Sequence, residues 1–122
     1  KVYFINFIFY NMTYPVYSQD QPISLCIPKV DKTVREKNIR ELFKKLNFGS
    51  IDRIDFVSWK KSTNQSINDN RFVRVFVHFK SWNESSSEIR TQLLNGSTYN
   101  IVYNFPWYWK IMISRLSKPN YS

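Results

Sequence analysis

The stretch Phe72 to Phe79, which reads FVRVFVHF, carries the clearest structural signal in this chain of 122 residues. Its side chains fall into two series with the period of two that a β-strand imposes. One series is wholly apolar and consists of Val73, Val75, Val77 and Phe79. The other series is mixed and consists of Phe72, Arg74, Phe76 and His78. The stretch therefore predicts a strand with one face in a core and the other face open.

Three further runs predict strands. Ile23 to Ile27 alternates and is expected to end at Pro28. Ile51 to Trp59 alternates with polar partners, and a last strand is expected within Tyr108 to Arg115. The positions assigned to the core in these runs are Leu25, Ile27, Ile54, Phe56, Trp109, Ile111 and Ile113.

Two segments carry helical signals. Thr33 and Glu36 have the spacing of a capping box, and an apolar stripe follows at Ile39, Leu42, Phe43 and Leu46. This helix is expected to end at Asn47 to Gly49. Ser85 to Glu88 repeats the capping-box spacing, and Asn95-Gly96 supplies a left-handed stop for a second helix.

The order strand, helix, strand, strand, helix, strand predicts an α+β domain of the ferredoxin-like split βαβ class (βαββαβ). In that class two helices pack on one face of a four-stranded antiparallel sheet. We expect the domain to cover residues 22–116, between an N-terminal extension at 1–21 and a tail at 117–122. Lys60 to Asn70 lacks periodicity and predicts an exposed loop.

The charge balance indicates the kind of partner. The chain has 18 Lys and Arg against 9 Asp and Glu, a net charge of +9 with a pI near 9.8. Such a surface favours polyanions, nucleic acid above all. Cys26 is the only cysteine and His78 the only histidine, so we expect no internal disulfide, no Cys- or His-rich metal site and an intracellular setting, in the nucleus or cytoplasm.

The first ten residues, Lys1 to Tyr10 (KVYFINFIFY), form an apolar aromatic run that is too short to span a bilayer and lacks the features of a signal peptide. We therefore expect no membrane partner. Two interpretations of the run stay open. Residues 1–11 are untranslated sequence upstream of Met12, or they form an extra strand at a sheet edge.

Pro22 to Leu116 resembles the RNA recognition motif family. Leu25 to Val30 (LCIPKV) is similar to the family's RNP hexamer, and Phe72 to Phe79 is similar to its RNP octamer. The resemblance implies binding of single-stranded RNA, with single-stranded DNA as an alternative ligand. In this family aromatic side chains on the open face stack on bases, at about 1–3 kcal/mol per base, and basic residues meet the phosphates.

The resemblance also implies an altered set of contact residues. Phe76 keeps the octamer's second stacking position, whereas Arg74 replaces its first and Cys26 replaces the hexamer aromatic. Phe72 stands where the family usually has Lys or Arg, so Phe72, Trp59 and Phe76 are expected to form a displaced aromatic platform. The charged and polar contacts are expected from Arg74, Lys110, His78 and Lys29, although a single histidine on a strand is more often an ordinary surface residue.

An alternative interpretation keeps the fold and changes the partner. Phe72, Phe76, Trp59 and Met112 then form a patch that a protein partner buries. The chain has no alanine and is rich in Asn, Ile, Lys, Phe and Tyr, a composition typical of an AT-rich genome, that of a large DNA virus or of a protist. In a virus, this alternative role suits a structural or assembly component.

Catalysis is not expected, and neither is a cofactor. The chain has no glycine-rich phosphate loop, no Cys/His nucleophile pair and no cluster of acidic residues. The aromatic segment Phe105 to Trp109 (FPWYW) suggests a further base-stacking site, yet Trp109 falls in the buried series. Trp107 and Tyr108 are expected to cover the sheet edge or the second helix.

Overall fold

A computed structural model of the chain describes residues 21–58 and 71–114. These residues form five strands and two helices, in the order β1 (Ser24–Asp31), α1 (Glu36–Leu46), β2 (Gly49–Ser58), β3 (Phe72–Trp82), α2 (Ser87–Leu94), β4 (Tyr99–Asn104) and β5 (Trp107–Ile113). A 3₁₀ turn at Glu84–Ser86 leads into α2. The predictions for residues 1–20, Trp59, the loop at 60–70 and the tail at 117–122 lie outside the described residues.

The sheet is antiparallel with the strand order β2-β3-β1-β5-β4. The expected four-stranded split βαβ layout is therefore wrong, although the protein is of the α+β class. The additional strand is β4, which forms a hairpin with β5 in which Ile101 lies opposite Trp109 and Val102 opposite Tyr108. Because β4 pairs with β5, the strand that was expected last in the sheet has a neighbour on each side.

β1 does not end at Pro28, as the sequence led us to expect, but continues to Asp31. Ile27 lies opposite Val75 and Val30 lies opposite Val73, so β1 has one residue more than β3 in this interval. A bulge of this kind places proline, which has no N–H to donate, where the ladder is already interrupted. Pro28 is therefore accommodated inside the strand.

Both predicted capping boxes are wrong. Helix α1 begins at Glu36 with Arg35 as its N-cap residue, and the Arg35 backbone amide donates to Asn38 Oδ1 at 3.1 Å. Thr33 instead donates its amide and its hydroxyl to Asp31 Oδ1, at 2.9 and 2.7 Å. The Asp31 carboxylate, at the end of β1, therefore satisfies the threonine that was expected to cap the helix.

At α2 the 3₁₀ turn takes the place of the second predicted box, and its N-cap residue Ser86 makes no side-chain capping bond. The predicted helix ends are confirmed. Asn47 closes α1 in the left-handed conformation with φ 58°, and Gly96 follows α2 with φ 97°. A positive φ suits asparagine and glycine better than other residues.

One core joins both helices to one face of the sheet. Its members confirm most of the predicted core positions, and they are Ile23, Leu25, Ile27, Val30, Ile39, Phe43, Phe48, Ile54, Val75, Val77, Phe79, Leu93, Ile101, Trp109 and Ile111. Phe56 and Ile113 are the exceptions. Phe56 lies on the core side of β2 but is 39% exposed, and Ile113 is half-buried against the core. Neither helix has the length and apolar character that a membrane-spanning helix requires, and the described part of the chain has no other α-helix.

Candidate functional site

The face of the sheet opposite the core, called here the open face, has a row of side chains that crosses four strands. In this row Phe76 on β3 lies between Asp55 on β2 and Cys26 on β1, and Met112 on β5 lies opposite Cys26. All four residues are half-buried. The register therefore puts Phe76, the stacking position that the sequence predicts, close to the middle of this face.

Phe72 lies at one end of the open face, where Asp31 is its cross-strand partner. The ammonium of Lys29 is 4.4 Å from the centroid of the Phe72 ring, and the guanidinium of Arg71 is 5.6 Å from it. Both distances are typical of cation–π contacts. Two of the predicted contact residues, Lys29 and Phe72, are thus brought together, and the Phe72 ring already holds a cation.

Arg74 and Lys110 are exposed cations on the same side of the central row, two strands apart. Arg74 precedes Phe76 by two residues on β3, and Lys110 precedes Met112 by two residues on β5. Burial raises the pKa of the Cys26 thiol, and the positive charge of Arg74 opposes this rise. Cys26 is therefore a neutral thiol, and it supplies apolar surface between Phe76 and Met112.

Two carboxylates on the open face have partners within the protein. Asp31 accepts hydrogen bonds from Thr33 and pairs with Arg71 Nε at 3.0 Å, and these contacts lower its pKa to about 2. Asp55 lies 2.9 Å from His78 Nε2 and 3.1 Å from Arg53 Nε. Their negative charges are thus compensated locally, which leaves less repulsion for an approaching anion.

His78 occupies the buried end of the open face, with 2% of its surface exposed. Its Nε2 is bonded to Asp55 and its Nδ1 lies 2.6 Å from the hydroxyl of Ser24, so the bonds link β2, β3 and β1. An ionised carboxylate only accepts, so Nε2 donates to Asp55, and in the neutral ring Nδ1 then accepts from Ser24. A ligand on the open face does not reach His78 without rearrangement.

Ser24, His78 and Asp55 are the residue types of a serine-hydrolase triad, but their arrangement differs. Ser24 is itself buried within β1, and its hydroxyl bonds Nδ1 while the carboxylate bonds Nε2. A nucleophile needs an approach path for its substrate.

Among residues 21–58 and 71–114, no group of three or more His, Cys, Asp or Glu side chains is placed to hold a metal ion.

The most exposed apolar surface is on the β4–β5 hairpin, in the aromatic segment Phe105 to Trp109 that the sequence suggested as a further base-stacking site. Phe105 is 86% exposed, Trp107 63% and Tyr108 53%. The expectation that Trp107 and Tyr108 cover the sheet edge or α2 is therefore wrong. The alternation in Tyr99 to Asn104 (YNIVYN) was the available signal, because a strand there makes the aromatic segment a hairpin turn.

The chain was compared with models of protein families, with curated proteins and with solved structures, and none of the three comparisons gives a match. What the protein binds therefore has to be inferred from its own residues.

Proposed function

We propose that the open face binds single-stranded nucleic acid, with RNA as the first candidate. Phe76 stacks on a base, and Arg74 and Lys110 contact phosphates. The observation that carries this proposal is the position of Phe76 in the central row, with an exposed cation two residues away on its own strand and another on β5. Every base offers a π-face to an aromatic ring, so this arrangement needs no particular sequence.

The charge of the molecule supports the same ligand. The net charge is +9, and Asp31 and Asp55 on the open face are each paired with a basic side chain. A polyanion that approaches this face is therefore attracted by the net positive charge and meets little local repulsion from these carboxylates.

The resemblance to the RNA recognition motif adds support from a different direction. Its two motif-like segments, Leu25 to Val30 and Phe72 to Phe79, lie on the neighbouring strands β1 and β3. Cys26 and Phe76, which stand at two of the family's stacking positions, are direct cross-strand partners. The substitution of Cys26 for an aromatic residue implies one fewer stacked base than the family pattern.

The test is a titration of a fluorescently labelled oligonucleotide, followed by anisotropy at two salt concentrations. We expect binding that weakens with salt and a Kd that rises roughly 5- to 150-fold in Phe76→Ala, the cost of losing one base stack. Phe76→Tyr keeps an aromatic ring and should retain most of the affinity.

Phe56→Ala is the matched control, because Phe56 is exposed on the core side of the sheet at β2. It should bind like the wild type. If Phe76→Ala binds as tightly as the wild type, the stacking role is wrong and the exposed apolar side chains are better explained by a protein partner.

A further inference from the structure

The β4–β5 hairpin extends the open face beyond the central row. On β5 the residues Tyr108, Lys110 and Met112 share one side of the strand, and Met112 belongs to the row that contains Phe76. On β4 Val102 lies opposite Tyr108, and both are more than half exposed. On the open face, the hairpin thus presents the ring of Tyr108 and then the ammonium of Lys110, in the direction of Phe76.

We infer that a nucleic-acid strand bound at Phe76 continues across β5 onto the hairpin, where Tyr108 stacks on a second base and Lys110 contacts the phosphates between the two rings. This inference rests on the proposed function and adds a second stacking position to it. Tyr108 lies outside the two segments that resemble the RNP motifs. The distance between the rings and the charge of the hairpin both support it.

The two rings are separated by a distance that a short nucleic-acid strand spans. Tyr108 is four residues from Met112, roughly 13 Å along β5, and Met112 is two strands from Phe76, about 10 Å across the sheet. The direct separation of the two rings is then about 16 Å. Neighbouring phosphates of one strand are about 3.4 Å apart when the bases are stacked and farther apart when the strand is extended, so at most a few nucleotides lie between the two stacked bases. Lys110 lies between the two rings.

The charge of this region suits a polyanion. Glu88 is the last acidic residue of the chain, so residues 89–122 contain no Asp or Glu, whereas Lys110 is exposed on the hairpin itself. A lipid headgroup region also attracts exposed Trp and Tyr. Tyr108, however, lies on the side of the strand that continues to Phe76, and this continuity favours an extended strand of nucleic acid over a membrane surface.

The experiment compares two labelled oligonucleotides, one of about 2 nucleotides, which is too short to reach both rings, and one of about 12, which is long enough to do so. The variants are Tyr108→Ala, Tyr108→Phe and, as the matched control, Tyr103→Ala. Tyr103 is a similarly exposed tyrosine of the same hairpin that packs on Trp109, on the core side of the sheet. Phe76→Ala is measured alongside them.

We expect Tyr108→Ala to raise the Kd for the longer oligonucleotide roughly 5- to 150-fold and to leave the Kd for the shorter one unchanged. Tyr108→Phe should restore binding, and Tyr103→Ala should bind both like the wild type. Phe76→Ala should weaken binding of both lengths.

Each other outcome has a definite meaning. If Phe76→Ala weakens binding and Tyr108→Ala does not, the hairpin inference is overturned while the proposed function stands. If the wild type binds neither oligonucleotide, the proposed function fails and the inference fails with it. If Tyr108→Ala loses binding to phosphatidylserine-containing vesicles but not to the longer oligonucleotide, the hairpin binds membranes instead and the inference is overturned.

Discussion

His78 and its two partners form a polar connection across three neighbouring strands, at the buried end of the open face. The ring nitrogens bond Ser24 on β1 and Asp55 on β2, while His78 itself is on β3. A buried polar group left without a partner costs about 1–3 kcal/mol, so each of these bonds favours the observed register over a shifted one. The role of His78 is therefore structural.

Removing the carboxylate of Asp55 should destabilise the protein. Asp55→Ala leaves Nε2 of the buried His78 without its acceptor, and we expect the free energy of unfolding to fall by about 1–3 kcal/mol in urea titrations. Asp55→Asn keeps an acceptor oxygen and should lose less. Ser50→Ala, at an exposed position of the same strand, is the control, and an Asp55→Ala variant as stable as this control would contradict the prediction.

Asp31 should make the stability of the protein depend on pH in the acid range. Its pKa is lowered from 3.8 to about 2 by the bonds from Thr33 and Arg71. The unfolded chain therefore takes up this proton at higher pH than the folded chain, so the stabilisation is complete above pH 3.8 and is lost as the pH falls towards 2.

The measurement compares the wild type with Asp31→Asn, whose side chain does not titrate. The difference between their free energies of unfolding should shrink as the pH is lowered from about 5 to 2. An NMR titration of the Asp31 carboxyl group should give a midpoint near 2, and a midpoint at the ordinary value of 3.8 would show that the contacts with Thr33 and Arg71 do not form in solution.

At the scale of elements, the close pairing of β2 and β3 depends on Gly49. A Cβ atom at this position would collide with the backbone carbonyl oxygen of Ser81 on the neighbouring strand. Gly96, by contrast, has open space around it and is glycine because of its positive φ of 97°. The two glycines of the chain are therefore required for different physical reasons.

We expect Gly49→Ala to destabilise the protein more than Gly96→Ala. The strain of a non-glycine residue in the left-handed region is on the order of 1 kcal/mol, whereas relief of the Gly49 clash requires two strands to separate locally. Urea unfolding of both variants checks the order. A Gly49→Ala variant of nearly wild-type stability would show that the strands separate there at little cost.

Elements with strong periodicity could be predicted from the sequence, and those that depend on a neighbouring element could not. The alternation of Phe72 to Phe79 and the apolar stripe of α1 correctly indicated β3 and the helix. The capping box at Thr33 was wrong because the carboxylate of Asp31, two residues earlier in the chain, accepts hydrogen bonds from the same threonine. β4 was missed because two of its six residues are asparagine, which is depleted in strands.

At the scale of the whole molecule, the side of the sheet on which a residue lies was easier to predict than its accessibility. Alternation correctly put Phe76, Arg74 and His78 on one face, yet Arg74 is exposed, Phe76 is half-buried and His78 is buried. Burial depends on what the neighbouring strands and segments place around each side chain, and a single strand's pattern contains no such information. The exposure of Trp107 and Tyr108, which were expected to be covered, was not predicted for the same reason.

Among the described residues, β4 is the last strand on one side of the sheet, and its six residues, YNIVYN, include no charged side chain. Natural edge strands commonly carry lysine or another charge that prevents pairing with a second chain. We expect the overall net charge of +9 to oppose association of two copies instead, over a Debye length of about 8 Å at physiological salt.

The uncharged edge therefore makes colloidal stability depend on ionic strength. We expect light scattering to show self-association that increases as salt screens the charge, and Val102→Lys to suppress it. Scattering that is independent of both salt and this substitution would contradict the prediction. A bound polyanion neutralises the positive charge and so reduces the repulsion between copies, as salt does. We therefore expect the protein to be most soluble without a polyanion and to self-associate when a bound polyanion neutralises its charge.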